Sequence, residues 1–68
     1  MLAVYVAAAM IEATERDIGR QVIYRDRSGY KVEEGIITSM NEQYVFVRYG
    51  SETISKATRP KDLEWSHA

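Results

Sequence analysis

The chain has no cysteine. Disulfide staples, thiolate zinc sites and cysteine nucleophiles are therefore excluded, and the composition fits a reducing compartment. It has one histidine, His67, which sits beside the C-terminus with nothing to orient it as a base. Its one proline, Pro60, lacks the N–H that a β-ladder needs and so ends the strand before it. The four glycines, Gly19, Gly29, Gly35 and Gly50, are scattered, which suits turns and bends and excludes a glycine-rich phosphate loop. Charge of one sign is lacking as well. Nine basic and ten acidic side chains leave a net charge of −1, too little for a global field that draws in nucleic acid or an anionic membrane. The carboxylates show no loop at calcium-binding spacing. Glu33 and Glu34 are neighbours, so on a strand they face opposite ways and cannot act as an acid–base pair. No enzyme chemistry, metal, cofactor or small-molecule substrate is expected.

Long hydrophobic runs are also lacking. The apolar stretch from Leu2 to Ile11 falls well short of the roughly 20 residues that span a bilayer. Ala7-Ala8-Ala9 looks like a signal-peptide cleavage site, but no Lys or Arg precedes it, which argues against secretion. Two other readings remain open. One is a helix over residues 2–13, since Ala-rich sequence propagates helix well and Leu2, Tyr5, Val6, Ala9 and Met10 follow helical spacing. The other is a true start at Met10. Thr14-Glu15-Arg16-Asp17 matches the pattern of a hydroxyl residue followed three positions later by an acid, and Gly19 closes the turn it would cap.

What the chain does have is β-pattern. Sixty-eight residues make one domain, which buries only about 60% of its unfolded surface. A thin core is expected, completed by a partner or a second copy. The expected strands are Gln21 to Arg25, Glu34 to Met40, Gln43 to Tyr49 and about Thr53 to Ala57. A 3₁₀-like turn over Arg59 to Leu63 should precede a last strand ending at Trp65. Asp26-Arg27-Ser28-Gly29 is turn-rich, and Met40-Asn41-Glu42-Gln43 forms the polar turn of a hairpin. In the third strand Val45, Val47 and Tyr49 alternate with Tyr44, Phe46 and Arg48. Arg48 marks its face as the wetter one, so the first trio should point inward. Tyr24, Tyr49 and Trp65 are expected to fill the core. This divides the chain into an N-terminal helix and capping turn (1–18), a β-module (19–65) and a tail (66–68).

The order resembles the SH3-like barrels, and the Tudor and KOW branches in particular. The residues that carry it are Gly19-x-x-Val22-x-Tyr24, Gly35 to Met40, Val45-Phe46-Val47-Arg48-Tyr49-Gly50, and Pro60-x-Asp62-Leu63-Glu64-Trp65. The likeness covers about residues 19–65. It implies a mainly β, five-stranded small barrel with an N-terminal α-helix added. The chain also resembles short phage and prophage open reading frames of unassigned function, which implies an accessory protein in the bacterial host cytoplasm.

Candidate sites follow from exposure. Tyr44 and Phe46, opposite the inward valines, form an aromatic pair that with Arg48 is the expected protein-binding surface. Leu2, Val6 and Met10 either fold over the barrel as a lid or pair with a second copy, giving a homo-oligomer. Arg20, Arg25, Arg27 and Lys31, near the first loop, are the alternative: a nucleic-acid-binding patch, with Lys56, Arg59 and Lys61 near the last turn. Acids interleave with all of them, as on an ordinary solvated surface. A methyl-ammonium cage is not expected, because the sequence does not gather its aromatics at one loop end. The reading is a non-enzymatic interaction module that binds protein and self-associates. The alternatives are a nucleic-acid-binding barrel and a minor structural component of a virion.

Overall fold

A computed structural model of the chain describes residues 11–66. Five strands are present: β1 Gln21–Arg25, β2 Val32–Met40, β3 Val45–Tyr49, β4 Lys56–Thr58 and β5 Leu63–Trp65. Short 3₁₀ turns at Glu15–Asp17 and Pro60–Asp62 precede β1 and β5. The strands form one antiparallel sheet in the order β4-β3-β2-β1-β5. Consecutive strands β1 to β4 form a meander, and β5 returns to pair with β1.

The expected closed barrel is not formed, because β4 and β5 are the two edges of the sheet. Each is only three residues long, and Pro60 stops β4 from running on to meet β5. Five peptide links join Thr58 to Leu63, so the edges stand at most about 17 Å apart there.

Alternation sets the core. Ile11, Val22, Ile37, Val45, Val47, Tyr49 and Leu63 are buried together, and Ala13, Tyr24, Met40 and Trp65 pack around them. The register places Val22, Gly35, Tyr49 and Trp65 in one row across the sheet. Gly35 is where the strands press closest. A Cβ there would collide with Val47 Cγ1 and stand 2.9 Å from Arg48 O and Tyr49 Cδ1. Its place inside β2 is one of close packing, which leaves no room for a side chain.

The register of β2 against β3 slips by one, from Ile37↔Val47 to Ser39↔Phe46. Thr38 is the extra residue of this β-bulge. Its hydroxyl donates to Phe46 O at 3.2 Å and meets the Ser55 hydroxyl at 2.6 Å. The slip turns Met40 onto the core face opposite Val45, where uninterrupted alternation would point it outward.

Most of the helix expected over 2–13 lies outside the described residues. Ile11 to Thr14, which are described, form no helix. Ile11 instead buries its side chain in the core and donates its N–H to Pro60 O at 3.4 Å. The turn after Thr14 does form. The Asp17 carboxylate accepts the Thr14 N–H at 2.8 Å, which with Arg20 at 3.0 Å holds its pKa below the ordinary 3.8. Gly19, at φ +94°, then swings the chain into β1. Strand β2 begins two residues earlier than expected, and β4 begins later, because the turn after Tyr49 and the Ser55–Thr38 contact take up the residues before it.

Candidate interaction groove

Several segments converge on an open groove of about 510 Å³. β1 supplies Tyr24, β2 Glu33, β3 Tyr49 and β4 Thr58; Tyr44 comes from the β2–β3 turn, and Arg59 and Asp62 from the second 3₁₀ turn. Tyr24 meets Tyr49 edge to face, with centroids 6.0 Å apart and planes at 72°. The Tyr49 hydroxyl lies 2.7 Å from Thr58 Oγ1, which itself donates to Lys56 O at 3.3 Å. Tyr49 is therefore the donor of the pair. Burial pushes its pKa above the ordinary 10.0, so the ring is neutral across the physiological range.

The charges around the groove are already engaged with one another. Lys31 lies 3.2 Å from Glu33, Arg59 3.2 Å from Asp62, and Lys56 3.4 Å from Glu52. The bond to Glu33 raises the pKa of Lys31, so it is cationic at neutral pH. The groove thus has an aromatic, uncharged floor and a rim of mutually paired ions. Among the described residues no group of three or more His, Asp or Glu could hold a metal ion.

Sequence reasoning put Tyr44, Phe46 and Arg48 on one surface, and the structure divides them. Asn41 Oδ1 accepts the N–H groups of Gln43 at 2.8 Å and Tyr44 at 2.7 Å. That side-chain cap keeps both residues in the turn, so β3 starts at Val45 and Tyr44 lines the groove. Phe46, opposite Ser39 and Ala57, and Arg48, opposite Ile36, alternate with the buried valines and lie on the other face of the sheet. Phe46 is half-buried and Arg48 exposed.

Of the basic residues expected around the first loop, Arg25, Arg27 and Lys31 lie at it, but Arg20 stands at the opposite end of β1, and most of the four are occupied. Arg20 pairs with Asp17 and lies 3.9 Å over the Trp65 ring. Arg25 pairs with Glu64 at 3.4 Å and Lys31 with Glu33. Arg27 is exposed and has no ion pair among the described residues. Leu2, Val6, Met10 and His67 lie outside the described residues.

Two features were missed in the sequence. Tyr24 and Tyr49 were expected chiefly to fill the core, and they also line the groove. Thr58, whose hydroxyl orients Tyr49, carried no signal beyond its place near the last turn. No helix among the described residues is long and apolar enough to cross a membrane. Compared with known proteins, the chain matches no family model, no curated protein sequence and no solved structure.

Proposed function

We propose that the chain is a non-enzymatic protein-interaction module of the SH3-like kind, whose groove holds an extended peptide segment of a partner protein. The observation that carries this reading is the convergence of Tyr24, Tyr44 and Tyr49 on one open groove. Tyrosine offers a large flat apolar face and a hydroxyl at little conformational cost. Aromatic-lined grooves receive extended or polyproline-like peptides, which need no ordering into helix or sheet. The volume falls within the usual range of ligand clefts, about 300–1,000 Å³. Tyr44, 37% exposed, is the accessible wall, while Tyr49 is fixed below it. Because the rim cations already have carboxylate partners, peptide apolar side chains and carbonyls suit the groove better than phosphates do.

The SH3-like assignment draws support from the return of β5 to β1 and from the 3₁₀ turn before β5. The likeness to phage and prophage reading frames adds an accessory role in the bacterial host cytoplasm. Self-association through Leu2, Val6 and Met10 belongs to the same proposal and would complete a thin core.

The test is selection of peptides from a displayed library on the immobilised full chain, followed by retesting against Tyr44→Ser and Tyr24→Ser. The proposal expects proline- or aromatic-containing binders that both substitutions abolish. Binders indifferent to both substitutions, or none at all, would overturn it.

A further inference from the structure

The loop between β1 and β2 presents an aromatic ring on a fixed turn. Tyr30 is 93% exposed. Its backbone is held on both sides. Asp26 N donates to Lys31 O and Gly29 N to Asp26 O, both at 3.0 Å. The Ser28 hydroxyl donates to Asp26 Oδ1 at 2.8 Å and Lys31 N to Asp26 Oδ2 at 3.2 Å. Tyr30 N donates to Ser28 Oγ at 3.2 Å. Gly29, at φ +79°, supplies the left-handed step that lets this turn close.

Three cations, Arg25, Arg27 and Lys31, lie within five residues of Tyr30 in sequence, and two of them pair with the acids Glu64 and Glu33. Asp26 is the one acid between Arg25 and Lys31, and both its carboxylate oxygens are turned into the loop by the bonds just described. Arg27 has no ion pair among the described residues. Arg25 and Lys31 share theirs with Glu64 and Glu33, yet their side chains stay 49% and 61% exposed. Each therefore keeps N–H donors facing solvent.

The geometry points to a second binding site at this tip, for single-stranded nucleic acid: Tyr30 stacks on a base, and Arg27, flanked by Arg25 and Lys31, pairs with the adjoining phosphates. Every base has a π-face, so such stacking tolerates any sequence. Guanidinium matches phosphate in a bidentate fork. An anchor for a protein pocket is normally ringed by other apolar groups that exclude water. Here Arg27, Ser28 and Lys31 are polar, and Val32, 47% exposed, is the nearest apolar neighbour in sequence. The chain-wide charge of −1 adds no long-range attraction, so contact is confined to a few nucleotides. This site adjoins the peptide groove, which Lys31 also lines, but Tyr30 and Arg27 are not among the groove's lining residues.

The experiment is fluorescence anisotropy of a short labelled oligodeoxythymidine titrated with the full chain at low salt, then at rising salt. Tyr30→Ala should weaken binding about tenfold through lost base stacking, while Tyr30→Trp preserves it. Arg27→Ala should weaken binding and make the salt dependence shallower by about 0.7 in log–log slope, the value for one phosphate on a single strand. Neither residue is buried, so both variants should keep the wild-type unfolding midpoint. No binding at low salt, or equal binding by wild type and Tyr30→Ala, would overturn the proposal. So would a tip that matters only to peptide capture.

Discussion

Tyr24 and Tyr49 meet edge to face at 6.0 Å, one from β1 and the other from β3, across the full width of β2. The contact is possible because β2 carries Gly35 between Val22 and Tyr49 in the register. A side chain there would press on the Tyr49 ring, whose Cδ1 lies 2.9 Å from where the added Cβ would stand. The Thr58 hydroxyl fixes the far end of the Tyr49 ring. The groove floor is thus set by the fold before any partner arrives, which lowers the ordering cost of binding.

Gly35→Ala should destabilise the protein by about 1–3 kcal/mol, the usual cost of overpacking. Because the added methyl collides with Val47 Cγ1, Val47→Ala should relieve part of that strain. The double variant is expected to lose less than the sum of the singles in urea unfolding. Strict additivity would mean that the collision does not decide the cost.

Tyr49→Phe removes one buried hydrogen bond and should cost about 1 kcal/mol. Thr58→Val should cost more, about 1–3 kcal/mol, since it leaves the Tyr49 hydroxyl buried without its partner. Urea midpoints of both variants and their double test the order.

The buried Tyr49 phenol also predicts an alkaline limit. Its pKa is raised in the folded state, above the 10.0 of an exposed tyrosine. The stability it contributes is therefore complete below pH 10 and is lost as pH rises through the folded value. Tyr49→Phe should flatten the decline above pH 10. Asp17 gives the opposite slope. Its pKa is lowered below 3.8, chiefly by the Thr14 N–H, so its contribution holds above pH 3.8 and fades as pH falls through the folded value. Asp17→Asn should remove that acid dependence. Urea midpoints measured against pH read both.

Light scattering on the full chain tests self-association. The proposal expects an oligomer that Leu2→Ser, Val6→Ser and Met10→Ser together reduce to a monomer. A wild-type monomer would contradict it.

Much of the fold was legible because its signals are local. Val45, Val47 and Tyr49 alternate with Phe46 and the exposed Arg48, and Arg48 marks the outer face without long-range information. Thr14 and Asp17 announce their turn within four residues. The errors arose where a distant contact decides. The Thr38 bulge depends on Phe46 and Ser55, and barrel closure on whether β4 and β5 reach each other. Tyr44 was read as an outward strand residue by counting back from Val45; it is exposed, but the Asn41 side chain holds it in the turn, where it lines the groove with Tyr24 and Tyr49. Period-two counting does not register that cap.

The central claim is that the Tyr24–Tyr44–Tyr49 groove is the peptide-binding surface. Amide chemical shifts of the isotope-labelled full chain, titrated with a peptide selected from the displayed library, test it most directly. The account predicts that the largest shifts fall on Tyr24, Tyr44, Thr58 and Arg59. Shifts gathered instead on Ile36, Phe46 and Arg48, across the sheet, would contradict it.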